Sequence, residues 1–354
     1  MSALPAPKPL AQFRARLSNY PEVVVLISFI LVFLYFTINA ENFLSLLSLT
    51  NILTLASIKG VFVLGVAMLM ISGEFDLSVG STLAVAAYVF AILMEFGLII
   101  GDVQILAPGL SFLALIVSLI VSAILGLING LIVTRSGIPS FIATLGTMLA
   151  FRGIARAMGN SELARVSGNA DVVRFTGEPP TLFYALNGDI NFINQLAEPA
   201  GGARYAIVWF FILVAITVLV MRFTRYGSWV YATGGNRDAA LAQGVRVDSV
   251  IVTNFIITGI LAGFAGVMQF TSRPAIDAAR GEGWELIAVA ACVIGGIWLQ
   301  GGFGTIIGAV LGILLLQMVE QGLILTGTDI QFFQIAVGFI LILSVISNTY
   351  LSRQ

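Results

Sequence analysis

Side chains able to make or break covalent bonds are scarce in this sequence. Histidine is absent, which removes imidazole general-base catalysis, Ser-His-Asp triads and His-ligated metal sites. The single cysteine, Cys292, lies inside an apolar run, where it can form neither an intramolecular disulfide nor a Cys-x-x-Cys site. It reads as a small buried hydrophobe. Any catalytic constellation would have to be drawn from Glu74, Asp76 and Arg152, and no histidine, cysteine pair or metal cluster stands ready to help them. No Gly-x-x-x-x-Gly-Lys-[Ser/Thr] loop is present to cradle a nucleoside triphosphate. The chain is therefore expected to be no enzyme and to hold no cofactor of its own.

The elements that must position these residues are set by composition. With 58% hydrophobic and 10% charged residues over 354 positions and a mean hydropathy of +1.02, there is too little polar surface for a water-soluble globule. Apolar stretches of about 20 residues, each enough to cross the hydrocarbon core as a helix, recur along the chain. They predict an all-α polytopic membrane protein, one transmembrane domain over 1–354, with about ten helices at roughly 22–40, 51–72, 79–97, 111–133, 141–158, 205–223, 250–271, 285–300, 303–322 and 332–350. Lys8, Arg14 and Arg16 precede the first run as in a signal peptide, but the run is long and no small-x-small cleavage site follows it closely. It is read as a retained first span.

An even number of spans puts both termini on one side. Lys8, Arg14, Arg16, Arg135, Arg222, Arg225, Arg237, Arg246 and Arg353 share one face, which the positive-inside rule makes cytoplasmic. Residues 1–21 become a cytoplasmic tail and 224–249 a cytoplasmic loop. The opposite face takes most of the acids, among them Glu41, Asp102, Glu162, Asp171, Glu178, Asp189, Glu198, Asp277 and Asp329. Its largest segment, 159–204, carries Pro179-Pro180, Asn187-Gly188-Asp189 and Pro199-Ala200-Gly201-Gly202, and reads as an irregular extracytoplasmic loop with turns and a short helix. Its acids serve either a partner or water. The net charge of −1 gives no basic field for nucleic acid.

One internal repeat stands out, offset by 192 residues from Asn129 to Gln321. Asn129–Phe141 aligns with Gln321–Phe333, matching Gly130/Gly322, Leu131/Leu323, Ile132/Ile324, Thr134/Thr326, Ile138/Ile330 and Phe141/Phe333, with Gly146/Gly338 beyond. Composition alone could supply part of the match. The two hairpins lie five spans apart and so point in opposite directions, the signature of an inverted repeat.

Between two apolar spans, Gly73-Glu-Phe-Asp-Leu-Ser-Val-Gly-Ser81 places Glu74 and Asp76 between glycines. Glycine permits a helix break and Ser78 can satisfy loosened backbone groups, so the segment is either a broken helix lining a pathway or a tight turn whose acids face water. Within the spans formal charges are few. Lys59, Glu95, Arg156 and Glu320 lie near span ends and can snorkel, whereas Arg152 is deepest and calls for an acid partner. The spans hold neutral polar groups instead, among them Ser72, Asn129, Thr144, Thr147, Asn254, Thr258, Gln269 and Gln317. These suit an uncharged, hydrogen-bonding solute, and equally suit glue between helices. Asp76, Ser78, Asn129, Thr144, Asn254 and Gln269 are the candidate pathway residues. Gly126, Gly130, Gly259, Gly263 and Gly266 read as close helix packing.

The loop from Tyr226 to Gly244 carries its own helix punctuation. Asn236 can cap, Asp238 suits the positive helix start, Ala239 to Gln243 favour helix, and Gly244 supplies a left-handed stop. So short a helix needs something to pack against, either within this chain or on a partner. Asp238-Ala-Ala-x-x-x-Gly244 resembles the Glu-Ala-Ala-x-x-x-Gly loop of permeases of ATP-binding-cassette (ABC) importers, with aspartate for the usual glutamate. Tyr231-Ala-Thr-Gly-Gly-Asn236 resembles the ribose, xylose and arabinose branch, as do Gly73–Ser81, Asn129-Gly-Leu-Ile-Val-Thr134, Ile138-Pro-Ser-Phe-Ile-Ala-Thr-Leu-Gly-Thr147 and Gly283-Trp-Glu-Leu-Ile-Ala-Val-Ala290. Asp76 fits that pattern, while many relatives carry glycine where Glu74 stands.

The resemblance implies a permease subunit in the bacterial inner membrane. It would work with an ABC ATP-binding subunit carrying ATP and Mg, an extracytoplasmic sugar-binding protein, and a second permease subunit in a homodimer or heterodimer. It further implies that Gly235, Asn236, Arg237, Asp238, Ala239, Ala240 and Gly244 couple to the ATPase, and that the cargo is a monosaccharide or related polyol. The competing expectation is a secondary transporter driven by H⁺ or Na⁺, which would need ionisable groups near the bilayer midplane.

Overall fold

The computed structural model describes residues 21–100, 103–159, 172–197, 200–329 and 331–352. The tail ahead of Pro21, Asp102, Glu162, Arg165, Asp171, Glu198 and Arg353 lie outside the described residues.

A helix lies at each apolar segment: α1 (Pro21–Asn39), α2 (Leu46–Ile71), α3 (Val79–Glu95), α4 (Ser111–Ser136), α5 (Ser140–Gly159), and, after two short helices α6 (Thr181–Asn187) and α7 (Asn191–Asn194), α8 (Tyr205–Phe223). Then come α9 (Arg225–Gly235), α10 (Arg237–Ala242), α11 (Val247–Ser272), α12 (Trp284–Ile294), α13 (Ile306–Leu325) and α14 (Gln331–Ser352). Helices α2, α4, α5, α8, α11 and α13 are long and apolar enough to cross a membrane, by length and composition. The expected span 285–300 is a helix only over the eleven residues of α12, about 16 Å at 1.5 Å per residue, half of a bilayer core. Gly295 and Gly296 end it, and the chain to Thr305 is non-helical.

Two small antiparallel ribbons depart from an all-helical chain. β1 (Leu98–Ile100) pairs with β2 (Val103–Leu106), and β3 (Val172–Arg174) pairs with β4 (Ala275–Asp277). The second ties the 159–204 segment to the α11–α12 connection, a pairing of distant strands that no local pattern announces.

α2 is the axis of the bundle. Of its most apolar 18-residue stretch 89% is buried, against 28% for α4 and α5 and 22% for α8. Its neighbours come in matched pairs: α4 packs on α11 and α13 on α2, α3 on α4 and α12 on α13, α3 on α5 and α12 on α14, with α2 against α11 between them. The close approaches are made at small residues. A Cβ on Gly126 would strike the Phe255 carbonyl, and one on Gly259 the Ser122 carbonyl, so α4 and α11 meet backbone to backbone. Exposed Phe211, Ile216 and Leu219 of α8 and Leu149 and Ile154 of α5 form an apolar exterior suited to lipid.

Candidate functional site

Two regions of the bundle hold its unusual chemistry, and they lie at opposite ends of α2, a helix about 39 Å long at 1.5 Å per residue.

At the Ile71 end the helix breaks. Gly73 takes a positive φ of 84°, and residues 74–78 run non-helically into α3. Glu74, Asp76 and Ser78 are buried, so the segment is no water-facing turn. Its loosened polar groups find side chains on α4 and α5. The Phe75 amide donates to Ser140 Oγ at 3.0 Å and the Leu77 amide to Thr144 Oγ1 at 3.1 Å. Asp76 Oδ1 accepts from the Ser78 amide at 2.8 Å and from Ser78 Oγ at 2.7 Å. Asn129 Nδ2 donates to Ser78 Oγ at 2.7 Å and reaches Asp76 Oδ1 at 3.4 Å. Burial raises the Asp76 carboxyl above the ordinary range, opposed by those hydrogen bonds. Asn129 Oδ1 has no partner among the described residues.

The capped helix is tied to this break by an ion pair. Asn236 accepts from the Ala239 amide at 3.0 Å and opens α10, while Gly244, at φ 81°, closes the turn beyond it. Gly235 to Ala239 and Leu241 to Gly244 are exposed, and Leu241 is 55% exposed. Behind α10, three turns interlock through their glycines. A Cβ on Gly234 would strike the Ile71 carbonyl, one on Gly302 would stand 2.6 Å from the Gly235 Cα, and one on Gly301 would stand 2.6 Å from the Gly73 Cα. The Gly302 amide donates to the Ile71 carbonyl at 2.8 Å, and Tyr231 donates its hydroxyl to the Gly304 carbonyl at 2.9 Å. Arg237, the first residue of α10, forms an ion pair with Glu74.

At the other end, α2, α11, α12, α13 and the 189–204 segment line an open cavity of about 510 Å³, within the range of small-molecule sites. Charged and amide side chains line it, with Lys59, Arg204, Arg273, Arg280 and Gln269 around the face of Trp284. Lys59 Nζ lies 2.8 Å from Glu320 Oε2 and 5.3 Å from the centre of the Trp284 ring, which stacks on Phe62. Arg204 pairs with Asp189 at 3.4 Å and Arg280 with Asp277 at 2.8 Å.

Residues 48–345 match the family described as the branched-chain amino acid transport system / permease component. The chain belongs to this family. It is 31% identical over 310 residues to the galactose/methyl galactoside import permease protein MglC of Escherichia coli (strain K12), covering 86% of this chain and 87% of the relative. To the ribose import permease protein RbsC of Bacillus subtilis (strain 168) it is 33% identical over 319 residues, covering 90% and 89%. To the autoinducer 2 import system permease protein LsrC of Salmonella typhi it is 29% identical over 310 residues, covering 87% and 80%. No solved structure matches the chain. Permease components of this family are transport proteins rather than enzymes, and this one is a multi-pass membrane protein.

Within this permease the six candidate pathway residues fall in three places. Asp76, Ser78, Asn129 and Thr144 meet at the break, where Asp76 and Thr144 bond backbone and Asp76, Ser78 and Asn129 bond one another. Asn254 is engaged elsewhere, accepting the Tyr226 hydroxyl at 2.7 Å and donating to the Met68 carbonyl at 3.4 Å. Burial pushes the Tyr226 phenol well up, so it remains a donor. Gln269 alone lines the cavity, and its Oε1 has no partner among the described residues.

Two expectations need correction. Among the described residues no acid lies within 4 Å of Arg152, although Glu282 and Glu285 act on it at longer range; it donates to the carbonyls of Ala278 and Arg280, both at 2.8 Å, because a loop that folds back against the start of α3 brings backbone acceptors to it. Lys59 does not snorkel; it is buried and pairs with Glu320 on α13. Glu95, partly exposed at the end of α3, accepts from the amide and hydroxyl of Thr176, 81 positions away, at 2.9 and 2.7 Å. Helix α9 was missed altogether, though Thr224, whose hydroxyl accepts from the Gly227 amide at 3.3 Å, is a capping signal. The roles of Ser140, Gly301 and Gly302 had no local signal.

Proposed function

We propose that this chain is the membrane subunit of a binding-protein-dependent ABC importer of the bacterial inner membrane, passing a monosaccharide or related polyol by alternating access. The observation that carries this reading is the exposed, Asn236-capped helix resting on a glycine-packed break in the transport helices. A separate ATP-binding subunit, holding ATP and Mg, would press on Gly235, Asn236, Arg237, Asp238, Ala239, Ala240 and Gly244. That pressure would reach α3 through the 72–78 segment. Galactose, ribose and autoinducer 2 appear in the relatives' names, and a hydroxyl-rich solute fits the amide and aromatic surface around Gln269 and Trp284.

Rocking needs two halves, and the packing supports them. Exchanging α2 with α11, α3 with α12, α4 with α13 and α5 with α14 maps each matched helix contact onto another. The repeated segments fall at the α4–α5 and α13–α14 hairpins, each with a left-handed glycine in its turn, Gly137 and Gly327. An inverted repeat of five spans each, ten in all, accounts for this pattern. Both termini and 224–249 would then be cytoplasmic, and the cavity end, with 159–204, would receive a soluble sugar-binding protein. A second permease subunit, identical or not, would cover α5, where nothing among the described residues packs against Gly146 or Gly153 and Leu145 and Leu149 are exposed.

Uptake into proteoliposomes holding the chain with its ATP-binding subunit tests this reading. Uptake is expected to require enclosed ATP and external binding protein, to survive ionophores, and to be competed by pentoses or hexoses. Uptake without the ATPase that collapses with an ion gradient would identify an ion-coupled secondary transporter.

A further inference from the structure

Glu74 and Arg237 stand 163 positions apart in sequence and join the two parts of the coupling end. The Glu74 side chain is 5% exposed, and a carboxylate so buried is costly unless a cation compensates it. Arg237 is the one cation within 4 Å of it among the described residues. Arg237 is itself half exposed and is the first residue of α10, a helix of six residues that cannot hold its own shape in water. The other ties in this region run from the 295–305 segment to Ile71 and to Tyr231 of α9, behind the helix. Among the described residues, the ion pair is the one hydrogen-bonded link from α10 to the 72–78 break. Directly beyond Glu74, the Phe75 and Leu77 amides are anchored on α5 and Asp76 and Ser78 on α4.

Interlocked glycines resist compression because their atoms are already in contact, but dispersion contacts yield easily when pulled apart. A helix that only pushes on the break would transmit one stroke of a cycle. We propose that the Glu74–Arg237 pair is a positioning latch that carries the return stroke, making α10 and the break move as one body in both directions. This rests on the coupling role proposed above for 235–244. Neither residue touches the solute; the pair acts through the backbone between Gly73 and Ser78.

The test uses the complete importer in proteoliposomes, reading solute transported per ATP hydrolysed, with membrane yield and retention of the ATP-binding subunit measured alongside. Arg237→Gln and Glu74→Gln should each lower that ratio about tenfold, less than at a fully buried charge pair because Arg237 is half exposed. Insertion should be unchanged, Arg237→Gln should retain the ATPase as well as Glu74→Gln does, and Arg237→Lys should keep most of the ratio. The double variant should be no worse than either single, because the same link is cut once. An unchanged ratio in the single variants would overturn the latch, as would single effects that multiply in the double. Loss of the ATPase subunit from Arg237→Gln but not from Glu74→Gln would also overturn it, making Arg237 a docking contact only. Should Glu74→Gln fail to insert, Arg237→Gln and Arg237→Lys, at a half-exposed position, still decide. Wild-type protein that shows no ATP-driven uptake would instead sink the importer reading itself.

Discussion

At the Ile71 end of α2 backbone meets backbone, with Gly234, Gly301 and Gly302 leaving no room for a Cβ against Ile71, Gly73 and Gly235. At the Asn51 end, charged and amide side chains surround an open cavity. Backbone packed on backbone has few alternative arrangements and passes displacement along. Long side chains joined by partly exposed ion pairs can re-pair at small cost. The contrast suits an end that transmits force and an end that receives a partner and its cargo.

Four substitutions would break or sharpen this contrast, taken from the largest expected effect downward. Gly234→Val drives a Cβ into the Ile71 carbonyl and should destabilise the detergent-solubilised protein by upwards of ~3 kcal/mol, with transport abolished, as read by thermal unfolding and uptake. Lys59→Met removes the partner of Glu320, which is 17% exposed, and should cost about 2–3 kcal/mol, less than at a fully buried pair. Adding Glu320→Gln should recover most of that loss. If Lys59→Met proved as damaging as Gly234→Val, both ends would be equally rigid and the contrast would fail.

Gly244→Val forces a β-branched residue into φ 81° with open space around it. The strain is local, about 1–2 kcal/mol. Membrane insertion and melting should survive while transport-linked ATP hydrolysis is abolished; normal stimulated hydrolysis would remove the coupling role of this helix. Arg204→Ala, whose partner Asp189 is largely exposed, should shift stability by under ~1 kcal/mol. Binding-protein-dependent uptake should nonetheless become less sensitive to salt in that variant, because one exposed charge near the cavity is gone.

Legibility followed the range of the interactions. The Asn236 cap, the α10 turn and the Gly244 stop depend on neighbours within a few positions, and the sequence announced them. Apolar runs located the helices to within a few residues, except α12, where an apolar run continues past Ile294 but the glycines at 295 and 296 end the helix. The break at 73–78 could be suspected from its glycines and acids, but not its burial, because Asn129, Ser140 and Thr144 come from elsewhere in the chain. Arg152 and Lys59 were placed in depth but not given their partners.

The sequence by itself determined that this chain lives in a membrane as helices, that imidazole chemistry is closed to it, and where its capped 236–244 segment lies. Those properties follow from composition and from hydrogen bonds that close within a turn of helix. Only the tertiary structure decided which polar groups satisfy one another. It paired Glu74 with Arg237 and Lys59 with Glu320, engaged four of the six candidate pathway residues at the helix break, and left Gln269 facing a cavity. In a bundle this apolar, a buried polar atom takes whichever partner the packing brings within 3 Å, and local sequence does not specify that partner.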